Sequence, residues 1–177
     1  MSLISPHQPE GVEWLLKKEE SQSGGLLCDD MGLGKTLQMI TLFITNPLKR
    51  TLIVLPPALI PQWISTLRRV LTSFSTHYYI KQFTSKTSEE IKSKLFLDEE
   101  PETHYIIVSS YHMIINRCKY LSRDSCFPRL NFKWDRLILD EIHTIRNHKS
   151  KIYATIENTI APIRWGMSGT PINNKLG

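Results

Sequence analysis

The sequence lacks the features of a membrane-spanning or secreted chain. No apolar run approaches the roughly 18 residues that a membrane-spanning helix needs. The first twenty residues carry Glu10, Glu13, Glu19 and Glu20, where a signal peptide would have an apolar stretch. We therefore expect an intracellular protein with no membrane partner.

Cysteine is scarce, which argues against two further classes of protein. Cys28, Cys118 and Cys126 are the three cysteines, and no two of them form a C-x-x-C pair. An odd number of thiols at these spacings supports neither a disulfide framework nor a zinc ribbon.

A strong charge imbalance is also missing. Lys and Arg total 22 against 17 Asp and Glu, a net charge of +5, and the pI is near 9.1. This excess is compatible with a polyanionic partner, but many ordinary proteins have as much. The basic side chains are scattered, so the sequence assigns no nucleic-acid contact. With 177 residues, 41% of them hydrophobic, and no internal repeat, the chain is expected to form one globular domain.

Helical and strand-like patterns alternate along the chain. The spacing of apolar residues predicts helices over residues 6–20, 36–44, 59–71, 88–97, 111–118 and 149–159. Short β-rich or buried runs predict strands over residues 26–28, 51–55, 77–82, 105–108, 136–139 and 163–167. This alternation predicts an α/β fold with a mostly parallel central sheet and helices on both faces. Ligands of such sheets bind at the carboxyl ends of the strands.

A glycine-bearing loop follows the first predicted strand and leads into a helix. It contains Asp30, Met31, Gly32, Leu33, Gly34, Lys35 and Thr36. Glycines at this point let several backbone N–H groups point at one anion, and the helix N-terminus adds its positive end. Lys35 would then reach the β- and γ-phosphates of a nucleotide, and the Thr36 hydroxyl would coordinate Mg²⁺. Asp29 replaces a glycine of the general pattern, so an exposed Gly-Lys turn that caps a helix remains an alternative.

Two adjacent carboxylates follow the buried run at residues 136–139. Asp140 at such a strand end can hold Mg²⁺, and Glu141 can polarise the water that attacks the γ-phosphate. An isolated Asp-Glu pair would more simply be a solvated turn or a helix N-cap. The phosphate loop upstream makes that alternative weak, because two parts of one phosphoryl-transfer machine then stand at strand ends.

Two further segments are weaker candidates. Ser168 and Thr170 follow the last predicted strand, where their hydroxyls could bond to Asp140 or His143 and sense the γ-phosphate. Judged from the local sequence alone, a plain turn is the simpler explanation. Gln8 could read an adenine edge or could be an exposed side chain at a helix start.

Together these motifs resemble the first RecA-like lobe of superfamily 2 helicases, and within it the Swi/Snf-type DNA translocases. Residues 24–42, GGLLCDDMGLGKTLQMITL, look like the family's ATP loop, in which Asp is usual at the position of Asp29. The Asp140, Glu141 and His143 positions match its DExH box. Residues 168–171 and Asn174 match the motif that couples hydrolysis to DNA movement, and Gln8 looks like part of the adenine motif. Moderate matches are residues 52–63 in motif Ia and residues 109–111 in a segment that touches the DNA backbone. The surrounding sequence looks closest to the branch that also carries RING-type ubiquitin-ligase modules.

The resemblance implies a three-layer, RecA-like P-loop NTPase lobe over residues 1–177, with ATP and Mg²⁺ as cofactors. Lys35, Asp140 and Glu141 would be catalytic, Thr36 and Asp140 would hold the metal, and Gln8 with residues 30–36 would bind the nucleotide. His143, Ser168 and Thr170 would couple hydrolysis to movement.

The implied activity is ATP-driven tracking along double-stranded DNA, through its backbone and without sequence preference, in chromatin remodelling, DNA repair or transcription. The expected compartment is the nucleus in a eukaryote, and otherwise the cytoplasm or a viral factory. The sequence stops six residues beyond Pro171, so we expect the second RecA-like lobe to be supplied in cis or in trans. Its arginine finger is worth about 10³ to 10⁵ in rate in related enzymes. A lone first lobe is therefore expected to bind ATP and hydrolyse it poorly.

Three departures or alternatives remain open. Ile142 stands where the DExH box usually has a small residue, and we expect a packing adjustment there with no loss of activity. The chain could instead be a nucleotide-binding interaction module that docks on a partner without turning over ATP. An RNA-directed helicase shares the same core and is a third, less favoured hypothesis.

Overall fold

The computed structural model describes residues 8–28, 32–97, 100–114, 133–145, 151–157 and 159–169. Its helices are α1 (Gln8–Glu20), α2 (Gly32–Thr45), α3 (Ile60–Leu71), α4 (Ser88–Leu97) and α5 (Lys151–Glu157). Its strands are β1 (Gly25–Cys28), β2 (Arg50–Leu55), β3 (His77–Gln82), β4 (Thr103–Ser110), β5 (Arg136–Leu139) and β6 (Ile163–Ser168). Short 3₁₀ turns cover Pro57–Leu59 and Ile142–Ile145. No helix within these described ranges is long and apolar enough to cross a membrane.

The six strands form one parallel sheet in the order β1-β6-β5-β2-β4-β3. The predicted α/β class and mostly parallel sheet are therefore confirmed. Because every described strand runs in the same direction, the segments that follow β1, β2, β5 and β6 emerge at one edge. This is the edge where the sequence places its phosphate loop and its acidic pair.

The central strands are buried on both faces, as a sheet covered by two helical layers requires. On β2, Ile53 and Leu55 point into one cluster with side chains of α1, α2 and α3. Leu52 and Val54 point into the opposite cluster, with side chains of α4 and α5. The predicted three-layer arrangement follows from this alternation of side chains along the strands.

The boundaries of several elements differ from the predicted ones. The α2 helix begins at Gly32, four residues before the predicted start, so the two glycines that were expected in a loop lie in its first turn. The β4 strand is eight residues long, twice the predicted length. Of the helix predicted over residues 149–159, α5 covers Lys151–Glu157, and residues 149, 150 and 158 lie outside the described residues. Of the helix predicted over residues 111–118, residues 111–114 are helical and the remainder lies outside the described residues, as does most of the irregular stretch predicted over 119–133.

Candidate nucleotide-binding site

A small cavity of about 140 Å³ opens at the carboxyl edge of the sheet. Three parts of the chain line it: the start of α2, the segment that leads into α3, and the residues after β5. The lining side chains are Lys35, Thr36, Leu59, Gln62, Trp63, Asp140 and Glu141. Four of these seven side chains carry a charge or a hydroxyl group. Lys35 and Asp140 are both buried, and charged side chains are seldom buried in proteins.

Lys35 is 2% exposed in the first turns of α2. Its Nζ donates a hydrogen bond to the main-chain oxygen of Ser168, at the end of β6. The ammonium group is thereby held beside the α2 N-terminus, whose first backbone N–H groups have no partner within the helix. A fixed cation and these N–H groups together favour an anionic ligand such as a phosphate.

The Asp140 carboxylate is held at both of its oxygens. The Trp63 indole Nε1 donates to Oδ2 at 2.8 Å, and the Glu141 backbone N–H donates to Oδ1 at 2.9 Å. Burial raises the pKa of Asp140, while these two hydrogen bonds and the Lys35 ammonium act in the opposite direction. The Tyr111 hydroxyl donates to the Asp140 carbonyl at 2.7 Å, and burial raises the pKa of Tyr111, so that donor keeps its proton at neutral pH.

Glu141 has a backbone φ of 50°, in the left-handed region that a residue with a side chain rarely adopts. Strained backbone of this kind concentrates at functional sites. The Glu141 side chain is 27% exposed, so water can reach its carboxylate. A methyl group built on Gly169 would lie 3.1 Å from Glu141 Oε1 and 3.8 Å from Lys35 Nζ, which shows that the carboxylate and the ammonium converge beside Gly169.

His143 connects the acidic pair to the end of β6. Its Nδ1 lies 3.2 Å from Ser168 Oγ and 3.2 Å from Glu141 Oε2. The contact between His143 and Ser168 is one of the two hydrogen bonds that we considered for Ser168 from the sequence. Because Ser168 also accepts the Lys35 hydrogen bond through its main chain, one residue of β6 contacts both the cation and the histidine.

The structure brings together most of the residues that the sequence singled out. Gly32, Leu33, Gly34, Lys35 and Thr36 begin α2, and Asp140, Glu141, His143 and Ser168 lie at the neighbouring strand ends. Asp30, Met31 and Thr170 lie outside the described residues. Gln8 is the first residue of α1, and its side chain is likewise outside the described part.

The donor set in the cavity suits a hard cation. Hydroxyl and carboxylate oxygens, here from Thr36 and Asp140, are the ligands that Mg²⁺ accepts, and Mg²⁺ normally completes its shell with water and phosphate oxygens. Across the described ranges, no group of three or more His, Cys, Asp or Glu side chains is placed to hold a metal.

Sequence reasoning did not assign Gln62 and Trp63 to the site, although both belong to the segment that resembles motif Ia. Their place in the cavity depends on contacts between α3 and the residue that follows β5, which no local pattern reveals.

A second difference concerns residues 109–111, which resemble a DNA-touching segment. Ser109 and Tyr111 are buried, so only Ser110 of the three is partly accessible.

Similarity to known proteins covers the whole of this architecture. Residues 7–177 match the family described as the SNF2-related domain. The chain is 33% identical over 183 residues to Protein CHROMATIN REMODELING 24 of Arabidopsis thaliana, and the aligned region covers 99% of this chain and 16% of that protein. It is 31% identical over 191 residues to TATA-binding protein-associated factor 172 of Homo sapiens, and the aligned region covers 98% of this chain and 10% of that protein.

A solved structure shares the fold. The Sulfolobus solfataricus SWI2/SNF2 ATPase core in complex with dsDNA matches with a TM-score of 0.75 at 25% identity, over 99% of this chain and 34% of that chain. The present chain thus spans about a third of that ATPase core, and less than a fifth of the two curated relatives.

Proposed function

The chain belongs to the SNF2-related domain family, and on that premise we propose that it is the ATP-binding lobe of a motor that moves along double-stranded DNA. One observation carries the proposal: a buried lysine, a buried aspartate and a strained, accessible glutamate converge at one cavity on the carboxyl edge of a parallel sheet. The family's RecA-like ATPase core has the same fold. Chromatin remodelling, DNA repair and transcription are the processes in which we expect the motor to act, in the nucleus of a eukaryotic source.

Each residue of the site has a role in this proposal. The α2 N-terminus and the Lys35 ammonium bind the phosphates, and the Gln8 amide reads the adenine. Thr36 and Asp140 would hold Mg²⁺, which would offset the negative charge of the β- and γ-phosphates. The Glu141 carboxylate orients the attacking water and accepts its proton. His143 and Ser168 transmit the state of the site, because His143 contacts Glu141 and Ser168 accepts the Lys35 hydrogen bond.

A second RecA-like lobe, in the same polypeptide or in a partner, would complete the motor with an arginine. We therefore expect this lobe alone to bind nucleotide and to turn it over slowly. A protein that binds ATP and stays inactive even with a second lobe and DNA would instead be the docking module of the alternative hypothesis.

The DNA-binding surface that we propose lies at the same edge of the sheet. A groove of about 580 Å³ runs between α3 and the end of β3. The groove is lined by Arg68 and Lys81, together with the hydroxyl residues Ser65, Thr84 and Thr87. In the sequence alone, Arg68 and Lys81 are only two of many scattered basic residues. Cationic and hydroxyl groups of this kind bind phosphodiester backbones without reading sequence. The related ATPase core was solved in complex with dsDNA, which supports a duplex as the partner.

Titration with a fluorescent ATP analogue and Mg²⁺ tests the nucleotide site. The wild-type chain and Glu141→Gln are expected to bind, and Lys35→Ala is expected to lose binding while it stays folded. Lys86→Ala removes one positive charge from an exposed turn and serves as the matched control. Equal binding by the Lys35 and Lys86 variants would refute the assignment of Lys35. Stronger stimulation of ATP hydrolysis by RNA than by duplex DNA would favour the hypothesis of an RNA-directed helicase.

A further inference from the structure

Trp63 reaches from α3 into the proposed nucleotide site. The residue is 2% exposed and lies in the first turn of α3, where its ring packs in the core cluster that α1, α2 and α3 form against the sheet. Its Nε1 donates to Asp140 Oδ2 at 2.8 Å, across 77 positions of the sequence. One side chain therefore belongs both to the core and to the lining of the cavity.

The hydrogen bonds around Asp140 leave it little rotational freedom. Its main-chain N–H donates to the Val54 carbonyl at 2.9 Å, and its carbonyl accepts from the Tyr111 hydroxyl at 2.7 Å. With the backbone fixed at β2 and after β4, the side chain is oriented by the Glu141 N–H at Oδ1 and by the Trp63 indole at Oδ2. An ionised carboxylate has about four acceptor positions, so lone pairs remain on each oxygen after these bonds.

Trp165 provides a comparison within the same core cluster. It is fully buried, and its Nε1 also donates to a carboxylate, Glu19 Oε2, at 2.9 Å. That carboxylate is already bonded to the Arg136 guanidinium and to the Asn46 amide, and it does not line the cavity. The acceptor of Trp63, by contrast, shares its cavity with Thr36 and Lys35.

We propose that Trp63 is a positioning residue, whose indole N–H holds the Asp140 carboxylate in the orientation that presents its remaining lone pairs to Mg²⁺ and its water. This inference rests on the proposed function, because it assumes that Asp140 serves the metal. Partners of this kind orient a ligating group before the metal arrives, and their removal typically costs about 10- to 100-fold in metal affinity.

The test compares Trp63→Phe with Trp165→Phe in the full chain. Each substitution removes one buried indole N–H from one buried carboxylate and leaves an aromatic ring. The affinity for the fluorescent ATP analogue is measured over a range of Mg²⁺ concentrations and also in EDTA. For Trp63→Phe, we expect half-maximal enhancement of binding to need about tenfold more Mg²⁺ than in the wild type, with unchanged affinity in EDTA. Trp165→Phe is expected to keep the wild-type dependence on Mg²⁺.

The outcomes separate this inference from the proposed function. No nucleotide binding by the folded wild-type chain would refute the proposed function. If the wild-type chain binds the nucleotide and both variants keep the wild-type Mg²⁺ dependence, the role of Trp63 is refuted. An equal change of the Mg²⁺ dependence in both variants would also refute it. The proposed function would stand in either case.

A measurement on the wild-type chain covers the case in which Trp63→Phe does not fold. In ¹H–¹⁵N spectra, addition of Mg²⁺ to the nucleotide complex is expected to shift the Trp63 indole resonance and to leave that of Trp165 in place. An unshifted Trp63 resonance, in a complex whose affinity Mg²⁺ does enhance, would overturn the proposal.

Discussion

The Arg136 guanidinium and the Glu19 carboxylate form a buried, two-pronged ion pair that ties β5 to α1. Nε lies 2.7 Å from Oε2, one terminal nitrogen lies 2.6 Å from Oε1, and both side chains are almost fully buried. Arg136 stands four residues before Asp140, and Glu19 lies on the helix that begins with Gln8. The pair therefore fixes the position of the proposed adenine-side helix relative to the strand that carries the acidic pair.

Glu19→Gln is expected to destabilise the fold strongly. The substitution keeps the shape of the side chain and leaves the buried Arg136 charge without its counter-ion, a change that costs about 3 to 5 kcal/mol. Urea unfolding measures the loss in the free energy of unfolding. Glu100→Gln breaks an exposed ion pair with Lys94 and is expected to leave the unfolding midpoint close to that of the wild type. Similar midpoints for the two variants would contradict the importance of the buried pair.

The backbone of Glu141 leads to a prediction that compares two substitutions. Both Glu141→Ala and Glu141→Gly remove the carboxylate, so both are expected to abolish its part in hydrolysis. At a φ of 50°, alanine is strained and glycine is not, a difference of about 1 to 2 kcal/mol. Glu141→Gly is therefore expected to be the more stable of the two in urea unfolding, although glycine normally destabilises a chain. A more stable alanine variant would show that the left-handed backbone is not retained.

Gly24 and Gly25 are neighbours with opposite tolerance for a side chain. A methyl group on Gly24 would lie 1.8 Å from the Arg164 carbonyl oxygen, whereas one on Gly25 would meet only ring carbons of Trp14 and Trp165 at 3.5 Å. Gly24→Ala must displace backbone, and we expect a loss of about 1 to 3 kcal/mol in the free energy of unfolding. Gly25→Ala is expected to unfold close to the wild type, and urea unfolding of both variants measures the difference. A comparable loss in both would mean that the approach to Arg164 is not what limits this position.

Local patterns predicted the sheet because each central strand is a buried apolar run, as residues 136–139 illustrate. The same reasoning placed Lys35 and Asp140 at one edge, since parallel strands share the direction of their carboxyl ends. It missed the start of α2, because Gly32 and Gly34 are poor helix formers. It also missed Trp63 and the Glu19–Arg136 pair, whose partners are 77 and 117 residues away and carry no local signal.

The buried carboxylate of Asp140 is expected to make stability depend on pH. Since burial raises the pKa of Asp140, the folded chain binds more protons than the unfolded chain between the ordinary and the raised pKa. The free energy of unfolding therefore falls as the pH rises through that window, and the cost is complete above it. Asp140→Asn has no such cost, so its stability relative to the wild type is expected to improve from pH 4 to pH 7. Urea unfolding without Mg²⁺ or nucleotide measures the difference, and a constant difference over this range would contradict the effect.

Arg68 and Arg69 allow the proposed DNA groove to be tested with adjacent residues of one helix. Both are exposed on α3, but of the two only Arg68 lines the groove, as Lys81 also does. If the groove binds a phosphodiester backbone, Arg68→Ala removes about one phosphate contact. The slope of log affinity against log salt concentration should then decrease in magnitude by about 1, uniformly across duplex sequences.

Arg69→Ala removes the same charge from the chain without touching the groove, so a purely long-range effect of net charge would appear equally in both variants. Fluorescence anisotropy with a short labelled duplex, at several salt concentrations, measures both slopes. An equal decrease for the two variants would place the DNA elsewhere, whereas a decrease confined to Arg68 would make this groove, next to the α3 residues that line the nucleotide cavity, the surface on which the lobe holds its duplex.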